Sequence, residues 1–263
     1  MNKSLITVAF CLLLFACKDK QDEKKGNANL PAVIAGLQTQ IAQKPDSIGL
    51  HIQLIDALDS LGNYKQAIIE TDALIKKDSM NYAFWFRRGQ LCSSAKDTTS
   101  AILSYSKAIK IYAAPDAFLA LANLYAETKN AQSLLLTDYV LRLRMGRENN
   151  AHCFFIKGIY YARTNDKIKA IQYFDQCVAE NYTYTEAYLE KGFILFDSNK
   201  TEEALKTFQL AANINSTNAD AYYWIAKCNE AMHKKEEAIK NYQTALQLDA
   251  NLQEAKDALK RLQ

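Results

Sequence analysis

The side chains best suited to bond-making or metal binding are three histidines, six cysteines and the serines of two Ser-x-x-Lys pairs. His51, His152 and His233 lie far apart, and no two stand four residues apart as a helical metal pair would. There is no Cys-x-x-Cys, and Cys92, Cys153, Cys177 and Cys228 follow neither a metal-ligand nor a disulfide-framework spacing. A Cys153–Cys177 bridge stays open in an oxidising compartment, the alternative being buried thiols that pack as small hydrophobes. Ser93–Lys96 and Ser104–Lys107 have the spacing of an acylating serine and its lysine but lack the accompanying motifs. Glycines occur singly, so no loop cradles a phosphate. These observations predict no metal, no cofactor, no small-molecule substrate and no enzyme; the competing enzyme reading would need a deep pocket of converging polar groups. Cys17 is placed differently, at the end of an apolar run from Leu5 to Ala16.

The elements around these residues follow a period. Ala170, Ala204 and Ala238 lie 34 residues apart, and Ala67 and Ala101 fall on the same frame. With positions in each repeat numbered 1 to 34, position 20 is alanine in all five. Position 8 is Gly89, Gly158, Gly192 and Ala226, and position 27 is Ala108, Cys177, Ala211 and Ala245. Position 4 carries Trp85, Phe154, Tyr188 and Tyr222; position 24 carries Tyr105, Phe174, Phe208 and Tyr242. Small residues let helix axes approach to roughly 8–10 Å. The aromatics fill the space between successive turns. Position 15 carries Gly62, Asn165 and Asn199, which tolerate the left-handed turn that ends a helix.

This pattern resembles the tetratricopeptide repeat (TPR), two antiparallel helices in 34 residues. The resemblance implies an all-α solenoid, a right-handed superhelix of helix pairs, with repeats near 48–81, 82–115, 116–150, 151–184, 185–218 and 219–252. The first repeat is weak, with His51 and Ile55 where an aromatic and a small residue belong. In the third, Leu134 and Asp138 of the second helix stand where a small residue and an aromatic are expected, so that helix is open to a one-residue slip. Residues 30–47 read as a half-repeat helix with Val33, Leu37 and Ile41 on one face, stopped by Pro45. Residues 253–263 read as a capping helix with a charged outer face, as terminal repeats require.

Residues 1–16 read as an export signal, too short to span a bilayer comfortably. Its end, Leu14-Phe15-Ala16-Cys17, resembles the lipobox of bacterial lipoproteins, which implies cleavage before Cys17 and acylation of that residue. More than one acyl chain is needed for stable anchoring, and the triacyl cysteine of the resembled lipoproteins supplies that. Residues 18–29, KDKQDEKKGNAN, read as a disordered tether with a reach of about 20 Å. Lys18 rather than Asp after the cysteine resembles lipoproteins sent to the outer membrane. The charged tract also resembles surface-export tags, so the periplasmic face and the cell surface both remain open.

Lys and Arg total 32 against 29 Asp and Glu, too balanced and dispersed for a nucleic-acid partner. The expected partner is a protein or peptide. In the resembled family the first helices line a concave groove, which here implies an exposed apolar strip from Phe86, Phe155, Ile159, Leu189, Phe193, Phe196 and Tyr223, with Arg163 beside it. Position 9 adds Asp56, Gln90 and Asn123. The inferred role is a membrane-anchored adaptor in the bacterial cell envelope. Its alternatives are a pilotin-like assembly factor for a secretion or pilus system and a self-assembling structural protein.

Overall fold

The alanine frame places helices that must nest in pairs, and the computed structural model, which describes residues 30–262, contains fourteen helices and no strand among them. They are α1 (Leu30–Gln43), α2 (Ile48–Ser60), α3 (Tyr64–Lys77), α4 (Tyr82–Ser94), α5 (Thr98–Ile111), α6 (Pro115–Glu127), α7 (Gln132–Arg142), α8 (Arg147–Arg163), α9 (Lys167–Glu180), α10 (Thr185–Asp197), α11 (Thr201–Ile214), α12 (Ala219–Ala231), α13 (Lys235–Leu248) and α14 (Gln253–Leu262). The export signal, Cys17 and the tether lie outside the described residues. Two compact units form, one through Ala117 and one from Phe118.

Four of the pairs are built on the same contact. Ala67, Ala101, Ala170, Ala204 and Ala238 are fully buried, as are the rings of Tyr105, Phe174, Phe208 and Tyr242. A Cβ added to Gly158 would sit 2.5 Å from the Phe174 ring, and Gly89 under Tyr105 and Gly192 under Phe208 are equally tight. Only a helix without a side chain there can lie so close to an aromatic.

Turns and caps fix where the helices stop. Gly62, Asn165 and Asn199 take positive φ at position 15, and Lys96 and His233 do so at the same position without an intrinsic preference for it. Asn63, Asn81, Asp97, Asp166 and Asn218 cap the following helices, each side chain accepting a hydrogen bond from a first-turn N–H.

In the unit through Ala117, Leu54, Ile55, Leu58, Leu74, Phe84 and Leu91 form one core, with Leu37 of α1 closing it. His51 is buried there. Its ring nitrogens meet Glu70 at 3.2 Å and the Pro45 carbonyl at 3.1 Å, so it holds the turn before α2 in place of the aromatic.

In the unit from Phe118, α7 settles the register of the third repeat. Its buried residues are Ser133, Thr137 and Val140, one residue earlier than the Leu134 and Asp138 frame. The slip puts Thr137 where the other repeats carry an aromatic. Asp138 then takes position 25, and Lys157 reaches it at 2.5 Å. Lys191–Asp175 at 2.5 Å is the same bond one repeat on, and Arg88–Asp72 at 2.7 Å repeats it in the other unit. The next helix, α8, starts at Arg147 rather than at residue 151, after a turn in which Arg144 and Gly146 have positive φ.

Ala204 is fully enclosed at its crossing. Replacing Ala204→Leu overpacks it and is expected to destabilise the protein by about 1–3 kcal/mol in urea or thermal unfolding. An unchanged midpoint would show that position 20 is not at a crossing.

Candidate functional site

The residues expected to form an exposed strip divide sharply. Phe155 and Ile159 are each 2% exposed and belong to the core of the second unit; they do not face solvent. Leu189 is also buried. Phe193 and Phe196 are half-buried against Trp224, with ring centroids at 4.9 and 5.5 Å. Tyr223 packs on Tyr242 at 5.7 Å. Phe193 and Phe196 join neighbouring repeats while Tyr223 packs within its own, and the expectation of a continuous exposed strip is corrected accordingly.

Arg163 is also occupied. Its Nε and Nη2 donate to both oxygens of Glu127, at 2.8 and 3.2 Å, while Nη1 and Nη2 donate to Glu190 at 3.3 Å. The guanidinium therefore ties α6, α8 and α10 together instead of presenting a free cation. Burial opposes its charge, but the Glu190 and Glu127 carboxylates outweigh that and push Arg163 up. Burial pushes Glu190 up from the usual carboxylate range, against the pull of Arg163.

Phe86 is where an opening remains. A cavity of about 320 Å³ lies between α2, α3 and α4, walled by Ile52, Ile55, Leu74, Phe84 and Phe86. Asp56, Arg87 and Gln90 supply its polar groups. The Tyr82 ring stacks on Phe86 with centroids 5.6 Å apart. Burial pushes the Tyr82 phenol up to about 12, with the charge of Asp116 adding to it. Arg87 Nη2 lies 2.7 Å from Asp56 and 2.9 Å from Asp59.

The reason for the opening shows in the corresponding place of the second unit. There Tyr184, at position 34, lays its ring on Phe155 with centroids 4.9 Å apart. In the first repeat position 34 is Asn81, whose side chain turns to the Ala83 N–H to cap α4. Ile52, the counterpart of Phe155, is left 43% exposed. Sequence reading placed Asp56, Phe86 and Gln90 on the groove face but missed Arg87, Tyr82 and the vacant slot. Asparagine at position 34 is not by itself a signal, since Asn218 stands there too and Leu189 in its repeat is buried.

Cys92, Cys153, Cys177 and Cys228 are free and buried, so the Cys153–Cys177 bridge does not form. Burial pushes Cys153 and Cys228 up to about 12, which keeps them as unreactive thiols. Among the described residues no three His, Cys, Asp or Glu side chains gather as a metal site, and no helix is long and apolar enough to cross a membrane.

Stacked antiparallel helix pairs, with a small residue under an aromatic in one pair after another, define a helical-repeat array. Family models agree: a tetratricopeptide repeat model matches residues 52–117, a TPR repeat model residues 192–232 and a further tetratricopeptide repeat model residues 219–252. These stretches of the chain carry tetratricopeptide repeats. No curated protein matches it. Among solved structures it is similar to a tetratricopeptide repeat protein from Parabacteroides merdae, at 16% identity and TM-score 0.72 over 92% of this chain and 96% of that one. It is also similar to PilW, a type IV pilus biogenesis factor, at 18% identity and TM-score 0.66 over 81% of this chain and 97% of that one.

Arg163→Met strands two carboxylates, one of them buried. The expected loss is about 2–3 kcal/mol near neutral pH, below that of a fully buried pair because the Glu127 side chain is 38% exposed. Glu190 has a folded-state pKa above its unfolded value, so it favours the fold when protonated and opposes it when ionised. The deficit of the variant should therefore shrink as pH falls toward the ordinary glutamate range. Unfolding curves at several pH values check this, and a deficit independent of pH would contradict it.

Proposed function

We propose that this protein is a non-catalytic docking adaptor that holds another protein at the bacterial outer membrane, anchored through acylated Cys17. The observation that carries the docking half is the unfilled apolar slot beside Phe86. The other first-helix aromatics named above pack on neighbouring rings; here they leave a hollow with a polar rim. Apolar recesses of this kind mark interaction sites, and an extended segment or one face of a helix fills them in recurring modes of peptide recognition. The tetratricopeptide repeat fold supports the reading, since its stacked pairs present side chains from successive first helices side by side.

The anchoring half rests on Leu14-Phe15-Ala16-Cys17 and on the polar stretch 18–29 behind it. A tether of that length lets the array work within about 20 Å of its lipid. The adaptor then concentrates its partner at a surface without supplying any catalytic group.

The test is recovery of partners from detergent-solubilised envelope by the full chain and by Phe86→Glu. The native chain should retain a reproducible protein that Phe86→Glu loses, while the variant keeps its helical signal and a cooperative unfolding transition above the assay temperature. Recovery of the same proteins by both would overturn docking at this slot. Uptake of labelled palmitate, abolished by Cys17→Ala, checks the anchor, and a chain that takes up no label would remove it.

A further inference from the structure

The slot has a charge as well as a shape, and the charge selects a partner. We infer that it takes a peptide segment in which a bulky apolar side chain stands beside a lysine or arginine, the apolar group entering the cavity and the cation meeting Asp56. This rests on the docking role proposed above and adds the chemistry of what docks.

The size comes first. At about 320 Å³ the cavity is at the small end of ligand sites. It suits one anchoring side chain rather than an extended cofactor. Ile52, Ile55, Leu74, Phe84 and Phe86 make its walls apolar, so the anchor is aliphatic or aromatic.

The rim then decides the neighbour. Among the described residues Arg87 is the only cation lining the cavity, and Asp56 and Asp59 both already pair with it. Arg88, next along α4, is held by Asp72 at 2.7 Å and donates to Ser104 at 2.9 Å. An acidic partner would find no unmatched positive charge. A basic one finds a surplus of carboxylate: Asp56 and Asp59 against one guanidinium, with the charge of Asp116 also felt at Tyr82. The Asp56 side chain meets Arg87 through Oδ1 and remains 60% exposed, so it can accept a second cation without breaking the first pair. Charge of this kind selects among partners more than it adds to the strength of binding.

The experiment selects peptides from a random 12-residue phage library on the full chain. The strongest binder is then titrated by fluorescence anisotropy. The expected consensus sets Phe, Trp, Leu or Ile next to Lys or Arg. Asp56→Asn, which leaves Asp59 to hold Arg87, should weaken that peptide about three- to tenfold, and so should replacing the basic residue of the peptide with glutamine. Phe86→Glu should abolish binding. A consensus that is apolar without a basic neighbour, or one that is apolar and acidic, overturns the charge assignment and leaves docking at the slot standing. Equal affinity for the native chain and Asp56→Asn does the same. Peptides that bind Phe86→Glu as well as the native chain, or a selection with no consensus, overturn the slot itself.

Discussion

An aromatic ring lying directly on a backbone is the contact from which the rest of this structure follows. At Gly158 there is room for no side chain at all, because an added Cβ would come within 2.5 Å of Phe174. The same closeness recurs at Gly89 and Gly192. Ala226 fills the role opposite Tyr242, and both are fully buried. Such a contact fixes the distance between two helices, and a 34-residue period repeats it. Each pair then offers its neighbour the same surface, and the array grows by one kind of interface.

That regularity explains why a binding slot exists in one place and not in its counterpart. Identical spacing leaves identical gaps between successive first helices, and a side chain must fill each one or leave it open. Tyr184 fills the gap over Phe155. Asn81, on the same repeat position, instead caps its own helix, and the gap beside Phe86 stays empty. Between these two places the residue at position 34 separates a packed joint from an open one, whereas at Asn218, another position-34 asparagine that caps its helix, Leu189 is buried all the same. The tetratricopeptide frame is the rigid part, and the occupancy of its gaps carries the specificity.

The sequence announced the frame because its signals are steric and local. Alanine at position 20 and rings at position 24 recur in register, and glycine or asparagine at position 15 marks turns that do take positive φ. What it concealed depends on neighbours one repeat away. Phe155 and Ile159 occupy positions that face a groove only if nothing from the adjoining pair covers them. Arg163 looked like a free groove cation because Glu127 and Glu190 are 36 and 27 residues distant. The bond between positions 7 and 25 was lost among many surface charges, although it recurs at Arg88, Lys157 and Lys191. Lys96 and His233 turn the chain as Gly62 does, since the period imposes the conformation whatever residue stands there. The one-residue slip in α7 was visible as a misfit at Leu134 and Asp138, and only the burial of Ser133 and Thr137 gave its direction.

A double-mutant cycle between Gly158 and Phe174 measures the founding contact most directly. With Phe174 present, Gly158→Ala gains about 1 kcal/mol of helix propensity but must displace a ring, so it should destabilise or at best be neutral. With Phe174→Leu, the ring is gone and the same substitution should stabilise. A coupling of about 1–3 kcal/mol is the result the account predicts. Additivity within about 0.5 kcal/mol would mean that the ring does not rest on that backbone and that the frame is built on some other contact.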